Sequence, residues 1–84
     1  MKVFICGKKK SVFVDEKTGE LKQFAKMFYT YHAPANTSIV TYEGDIAEFV
    51  SIPFDFYDKL EVGAYCGLDF DKQGKCIGID INVD

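Results

Sequence analysis

The chain has 84 residues and a mass of 9.5 kDa, which allows one domain and excludes two separate cores. Apolar residues make up 48% of it and aromatic residues 15%, so the composition excludes a disordered chain. The formal net charge of −3 is divided unevenly, with seven lysines against three acids over residues 1–31 and three lysines against ten acids over residues 32–84. All ten basic residues are lysine, which disfavours sequence-specific reading of duplex DNA by the bidentate arginine contact.

The first twenty residues predict β structure followed by a turn. Residues 2–6 and 10–15 are two short β-rich runs, and Gly7 between them can turn the backbone, so they form either a first hairpin or one bent strand. Residues 15–20, with the sequence DEKTGE, collect turn-forming side chains and place Gly19 where a positive φ is commonly needed. We expect a turn there.

Residues 21–31, with the sequence LKQFAKMFYTY, fit a helix or a strand. As a helix they place Leu21, Phe24, Ala25 and Phe28 on one apolar stripe. As a strand they alternate lysine and phenylalanine on one face. The aromatic ending and the turn before the segment favour a strand, which Pro34 then ends.

The remaining elements are predicted from turn residues and from alternation. Residues 32–38 form a loop, and residues 39–42 and 46–52 form a hairpin joined by a short glycine-containing connection. Pro53 can open a short helix over residues 53–60, in which Phe56 and Leu60 meet at i, i+4. The last hairpin pairs residues 62–70 with 77–83 across a turn at 71–75, and its strands alternate apolar with small or polar residues.

Five or six strands and one short helical segment predict an all-β fold. An open sheet of this size would leave two unprotected edges and a bare face, so a compact five-stranded barrel over residues 1–84 is the economical solution. Gly63, Gly67 and Gly78 fit the bends of barrel corners, and the alternative is that they only weaken an edge hairpin.

The order of these elements resembles that of small single-stranded-DNA-binding proteins of phages and mobile genetic elements. The resemblance lies in a Leu-x-Val-Gly pattern at Leu60, Val62 and Gly63, an alternating strand, a turn at Gly74 and Lys75, and an Ile-rich closing strand. The resemblance covers about 70 residues of the chain. The resemblance implies an OB-like barrel that binds single-stranded DNA without sequence preference in replication or transfer of a phage or mobile element. It also implies a homodimer that uses lysine and aromatic residues on the outer face of the sheet.

The residues themselves favour the same activity, because a single-strand binder needs cations for phosphates and flat rings for bases. A basic loop at residues 8–10 and the alternating lysines of residues 22–26 supply the cations, although an ordinary solvated turn explains residues 8–10 equally well. We expect Phe24 and Phe28 in the core and Tyr29, Tyr31 and Tyr42 exposed, since a phenol hydroxyl tolerates contact with water. The predicted nucleic-acid-binding residues are Lys8, Lys9, Lys10, Lys22, Lys26, Tyr29, Tyr31 and Tyr42.

Catalytic and metal chemistry find little support in the sequence. Cys6, Cys66 and Cys76 are an odd number without CxxC spacing, which is typical of reduced and mostly buried thiols. His32 lies in a predicted loop, and no nucleophile signature surrounds it or the cysteines. We therefore expect no enzymatic activity, no cofactor and no metal.

Two other functions remain open at this point. The ten acids of residues 32–84 could imitate the phosphates of DNA and bind a nucleic-acid enzyme, which would make the protein an inhibitor or accessory module. A structural or assembly subunit would instead expose a large apolar patch. No apolar run approaches the ~20 residues of a bilayer span, and the start MKVFICGKKK is too short and too soon charged for a signal peptide. We expect a soluble, cytoplasmic protein.

Overall fold

The computed structural model describes residues 1–81 as five strands and one short 3₁₀ helix. The strands are β1 (Lys2–Val14), β2 (Leu21–His32), β3 (Asp45–Ile52), β4 (Tyr65–Phe70) and β5 (Cys76–Asp80). The 3₁₀ helix, Phe54–Lys59, lies between β3 and β4. The predicted all-β class, the strand at residues 21–31 and the short helix after Pro53 are confirmed.

β1 is one bent strand, the second of the two alternatives for residues 2–15. It pairs antiparallel with β2 from Phe4 to Val14, and the register shifts between Ile5 and Gly7. A shift of this kind is a β-bulge, which bends the strand and turns its later side chains to the other face. The predicted turn after β1 is confirmed, and Gly19 adopts a φ of 71° in it.

All strand pairs are antiparallel, and their order across the sheet is β3-β2-β1-β4-β5. Three consecutive strands followed by a fourth that returns beside the first is the Greek-key arrangement. β3 and β5 are the edges of the sheet, and no ladder joins them within the described residues. The prediction of a closed barrel is therefore wrong, because Pro53 ends β3 and the segment after it lies between the two edges.

The predicted hairpin between residues 39–42 and 46–52 is also wrong. Residues 39–42 form a loop, and β3 pairs with β2 along its whole length. Side chains in this loop take the backbone donors that a strand would need, since Thr37 Oγ1 accepts from Val40 N (3.0 Å) and Asn36 Oδ1 accepts from Tyr42 N (2.6 Å). Ile39 is 90% exposed, so its apolar side chain does not hold the segment in a sheet.

One face of the sheet carries the core, and we call it the inner face. Its buried side chains are Val3, Ile5, Ala25, Met27, Tyr29, Ile52, Leu60, Cys66 and Leu68. The 3₁₀ helix covers this face with Phe54, Phe56 and Tyr57. Within residues 1–81, no helix is long and apolar enough to cross a bilayer.

The last hairpin is confirmed within narrower bounds than predicted. β4 places Cys66 and Leu68 in the core, as their alternation indicates, and Ile79 of β5 packs beside Leu68. Ile77 has the same parity as Ile79 but is 67% exposed, because the register shifts between Asp69 and Phe70 and leaves Ile77 without a ladder partner in a β-bulge. Gly63 precedes β4 in a turn with a φ of 94°, so the strand begins later than residue 62. The predicted end of the second strand, at residues 82–83, lies outside the described residues.

Candidate nucleic-acid interface

The face of the sheet opposite the core, the outer face, collects aromatic rings and lysines. Cross-strand partners point to the same side of a sheet, so the ladder partners of residues on the outer face also lie on it. Phe28 pairs with Phe49, Lys9 with Lys26, and Phe4 with Tyr65. The aromatic residues of the outer face are Phe4, Phe13, Phe24, Phe28, Phe49 and Tyr65, and its lysines are Lys2, Lys9, Lys22 and Lys26.

The bulge in β1 decides which lysines reach the outer face. Before the bulge, Ile5 points to the core; after it, Lys8 and Lys10 pair with the inner-face residues of β2. Lys9, between them, pairs with Lys26 and points outward. The bulge therefore reverses the alternation along β1, so that Lys9 points outward although the odd-numbered residues Val3 and Ile5 point to the core.

The rings of the outer face form three pairs. The ring centroids lie 5.4 Å apart in Phe4 and Tyr65, 6.1 Å apart in Phe28 and Phe49, and 6.2 Å apart in Phe13 and Phe24. These separations and their tilted or edge-on planes are typical of favourable aromatic contacts. Phe49 is 57% exposed and Tyr65 is 53% exposed, so flat apolar surface faces solvent at several places on one sheet.

Lysine ammonium groups lie over these rings. The Lys26 ammonium is 4.6 Å from the centroid of Phe49 and 6.0 Å from that of Phe24, and Lys9 approaches Phe24 from 5.8 Å. Each distance falls within the range of a cation–π contact, which contributes about 0.5–1 kcal/mol at exposed sites. The rings thus present their faces to a cation in the free protein, and the same faces can receive another flat or charged group.

The structure divides the five predicted lysines between the two faces. Lys9, Lys22 and Lys26 lie on the outer face beside the rings. Lys8 lies on the inner face, where its ammonium donates to the carbonyl oxygens of Tyr57 (3.1 Å) and Leu60 (2.8 Å) near the end of the 3₁₀ helix. The side chain of Lys10 points the same way and lies 3.7 Å from Asp58. Lys8 and Lys10 hold the covering segment and do not belong to the outer face.

The predicted tyrosines lie elsewhere, and the prediction that they are exposed is wrong for Tyr29. Tyr29 is 2% exposed on the inner face, and its ring stacks with that of half-buried Tyr31 at 6.0 Å. Tyr42 lies half-buried in the loop before β3. Tyr29 can lie in the core because its hydroxyl donates to Glu48 Oε2 at 3.2 Å. This hydrogen bond satisfies the polar group of an otherwise buried side chain.

Phe24 and Phe28, which were expected in the core, lie on the outer face instead. β2 carries aromatic residues on both faces, and the smaller inner-face set of Ala25 and Met27 leaves room for the 3₁₀ helix. Because side chains alternate along β2, burial of Ala25 and Met27 places the two phenylalanines on the other face. Sequence reasoning missed Phe49 and Tyr65 altogether, since their place beside Phe28 and Phe4 depends on strand pairing.

The acids are spread over several surfaces. Asp69 and Asp80 share the outer face at its β4 and β5 end, where they pair with glycines of the neighbouring strand. Asp55, Asp58 and Glu61 lie on or beside the 3₁₀ helix. The rings and lysines of β1, β2 and β3 form a second charged region, so the acids are not the only charged surface.

Other candidate chemical groups are separated from one another. His32 ends β2 and places Nδ1 3.1 Å from Asp45 Oδ1, at a fully exposed position. Cys66 is buried with its thiol 3.9 Å from the sulfur of Met27, and burial raises the pKa of that thiol. Among residues 1–81, no three His, Cys, Asp or Glu side chains lie close enough to hold a metal.

The buried phenol of Tyr29 predicts a loss of stability in alkali. Burial, with the nearby Glu48 carboxylate, raises the pKa of Tyr29 from 10.0 to about 12. The unfolded chain then loses this proton near pH 10 while the folded protein keeps it, so the contribution is complete below pH 10 and is lost as the pH rises through about 12. We expect the free energy of unfolding to fall by about 2 kcal/mol from this group between these limits.

Urea unfolding at several pH values measures this effect, with Tyr29→Phe as the matched variant. The variant keeps the ring and removes the titrating group, so its free energy of unfolding should fall less than that of the wild type between pH 10 and 12. Equal alkaline slopes in the two proteins would contradict the assignment to Tyr29.

Comparison of the chain with protein-family models, with curated proteins and with solved structures finds no match.

Proposed function

We propose that the protein binds single-stranded DNA without sequence preference on the outer face of its sheet. The observation that carries the proposal is the set of three ring pairs interleaved with lysines on one exposed face. Proteins that hold single strands combine a positive surface along the backbone with rings on which bases stack, and each stacked base contributes about 1–3 kcal/mol. Stacking tolerates any base because every base has a π-face.

In this proposal, a base of the bound strand replaces a lysine ammonium group on the face of a ring. In the free protein, Lys26 lies between the rings of Phe24 and Phe49. An incoming base takes the ring face, and the flexible lysine stem carries the ammonium to the adjacent phosphate. The ring exchanges an exposed cation–π contact for a larger stacking area, and the ammonium gains a full negative charge with release of a counterion.

The topology supports an OB-like assignment. The OB fold is a partly open, five-stranded Greek-key barrel that binds oligonucleotides on the face of its second and third strands and on the loops between strands 1 and 2 and strands 4 and 5. Here Phe24, Phe28 and Lys26 lie on β2, and Phe49 lies on β3. The turn between β1 and β2, residues 15–20, adds Lys17 beyond the end of this face.

Fluorescence anisotropy with labelled oligo-dT tests the proposal. We expect saturable binding at low salt and a linear fall of log K with log salt concentration. The slope should be about −2, since each neutralised phosphate on a single strand contributes roughly −0.7 and the β1 and β2 part of the outer face offers Lys9, Lys22 and Lys26.

A duplex of the same length and dA·dT composition is the control. Its bases are stacked on one another, so the rings cannot receive them, and we expect weaker binding than to the single strand. No binding of oligo-dT at low salt, or an affinity that does not change with salt, would refute the proposed function.

A further inference from the structure

A pocket of ≈ 280 Å³ lies between the two edges of the open sheet. Ser51 near the end of β3 and residues 76–79 of β5 form its sides, and Pro53 and Phe56 of the covering segment complete the lining. A closed barrel would fill this gap with a ladder between β3 and β5. The open sheet instead leaves an apolar pocket flanked by two strand edges.

The pocket continues the outer face. Ser51 pairs with Lys26 in the ladder between β2 and β3, so its side chain lies on the same side as the Lys26 ammonium. Gly78 on the opposite wall pairs with Asp69, another residue of the outer face. A strand that crosses the rings of β2 and β3 therefore reaches the rim of the pocket next to Lys26.

The size of the pocket suits one flat group. Its volume is nearly twice the ~150 Å³ of an apolar cavity that accepts a benzene ring, and it falls just short of the ~300 Å³ at which sites for drug-sized ligands begin. A two-ring base fits these limits better than a one-ring base. Phe56 and Pro53 offer apolar surface to the face of the base.

Polar groups around the pocket match the edge of a base. β3 and β5 are edge strands, so backbone N–H and C=O groups on their outer sides have no ladder partner within the described residues. The Asp69 carboxylate lies beside Gly78, since a β-carbon built there would be 3.4 Å from Asp69 Oδ2. A carboxylate accepts hydrogen bonds from exocyclic amino groups, which adenine, guanine and cytosine carry and thymine lacks.

We propose that this pocket receives one base of the bound strand and prefers an amino-bearing purine to thymine. This inference rests on the proposed function and deepens it. Stacking on the outer face ignores base identity, whereas the pocket contacts both a face and the edge of the base it receives. The protein then binds all single strands and holds those with a suitably placed purine more tightly.

Two labelled oligonucleotides, all-dT and the same length with one central adenine, test the pocket by anisotropy at low salt. We expect the wild-type protein to bind the adenine-containing strand about tenfold more tightly, which is within the range that one enclosed base contributes. Ser51→Leu fills the pocket from its rim and should reduce this ratio of affinities to about one. Ser51→Ala leaves the pocket open and should keep the ratio.

The outcomes separate this inference from the function on which it rests. A wild-type ratio of one, with all-dT still bound, refutes the pocket and leaves the proposed function standing. A ratio of ten that survives in Ser51→Leu also refutes it, because the adenine is then read elsewhere. Failure of the wild-type protein to bind either strand refutes both proposals.

Discussion

Replacing Phe28 and Phe49 together with leucine is expected to weaken oligo-dT binding about 100-fold at low salt. The two rings lie 6.1 Å apart on the outer face, on the neighbouring strands β2 and β3. The loss of stacking with two bases accounts for a change of this size if each base contributes a free energy in the lower part of the usual range for base stacking. Leucine keeps the apolar character of both positions and removes the flat π-surface, so the substitution tests stacking directly.

Tyrosine at the same two positions is the matched control. Phe28→Tyr with Phe49→Tyr retains both rings, so its affinity should stay within about threefold of the wild type, a change well below the contribution of one stacked base. Urea unfolding checks that the leucine variant is folded, and Phe49, at 57% exposed, contributes little to the core. If the leucine variant bound as tightly as the tyrosine variant, the bases would not stack on Phe28 and Phe49, which would contradict the proposed role of these rings.

The local elements could be predicted from the sequence, while their partners could not. Alternation and turn residues predicted β2, the 3₁₀ helix and the last hairpin, because these signals lie within a few residues of one another. The pairing of β3 with β2 joins segments separated by a loop of about a dozen residues. The loop hydrogen bonds of Asn36 and Thr37, which remove residues 39–42 from the sheet, depend on the folded geometry of that loop.

The sequence indicated which types of residue form the candidate site, but it located only some of them on the correct face. The alternation of lysine and phenylalanine in β2 indicated a face of mixed charge and rings, but both faces of this strand carry aromatic residues, so hydrophobicity alone could not assign the core. Packing against the 3₁₀ helix and the contact of Tyr29 with Glu48 make that choice. Gly7 was a usable signal, since an isolated glycine within a strand often marks a bulge, and the bulge here determines that Lys9 lies on the outer face.

Replacing Lys9 and Lys26 together with glutamine is expected to have the second large effect. Oligo-dT binding should weaken about 60-fold at ~50 mM salt and about tenfold at ~200 mM. Both ammonium groups lie over rings of the outer face, within reach of the phosphates of a strand whose bases stack on those rings. Two lost phosphate contacts reduce the slope of log K against log salt by about 1.4, and this change produces the difference between the two salt concentrations.

The double variant Lys10→Gln with Lys59→Gln is the matched control, since it also removes two positive charges but takes them from the inner side of the sheet. Lys10 lies 3.7 Å from Asp58, and Lys59 lies over Phe56 on the 3₁₀ helix, so neither faces the rings of β2 and β3. Long-range attraction changes equally in both double variants, and only the outer-face pair loses direct contacts. We therefore expect the control to retain the wild-type salt slope. Equal slopes in the two double variants would mean that binding follows total charge, and the strand would then have no fixed place on the outer face.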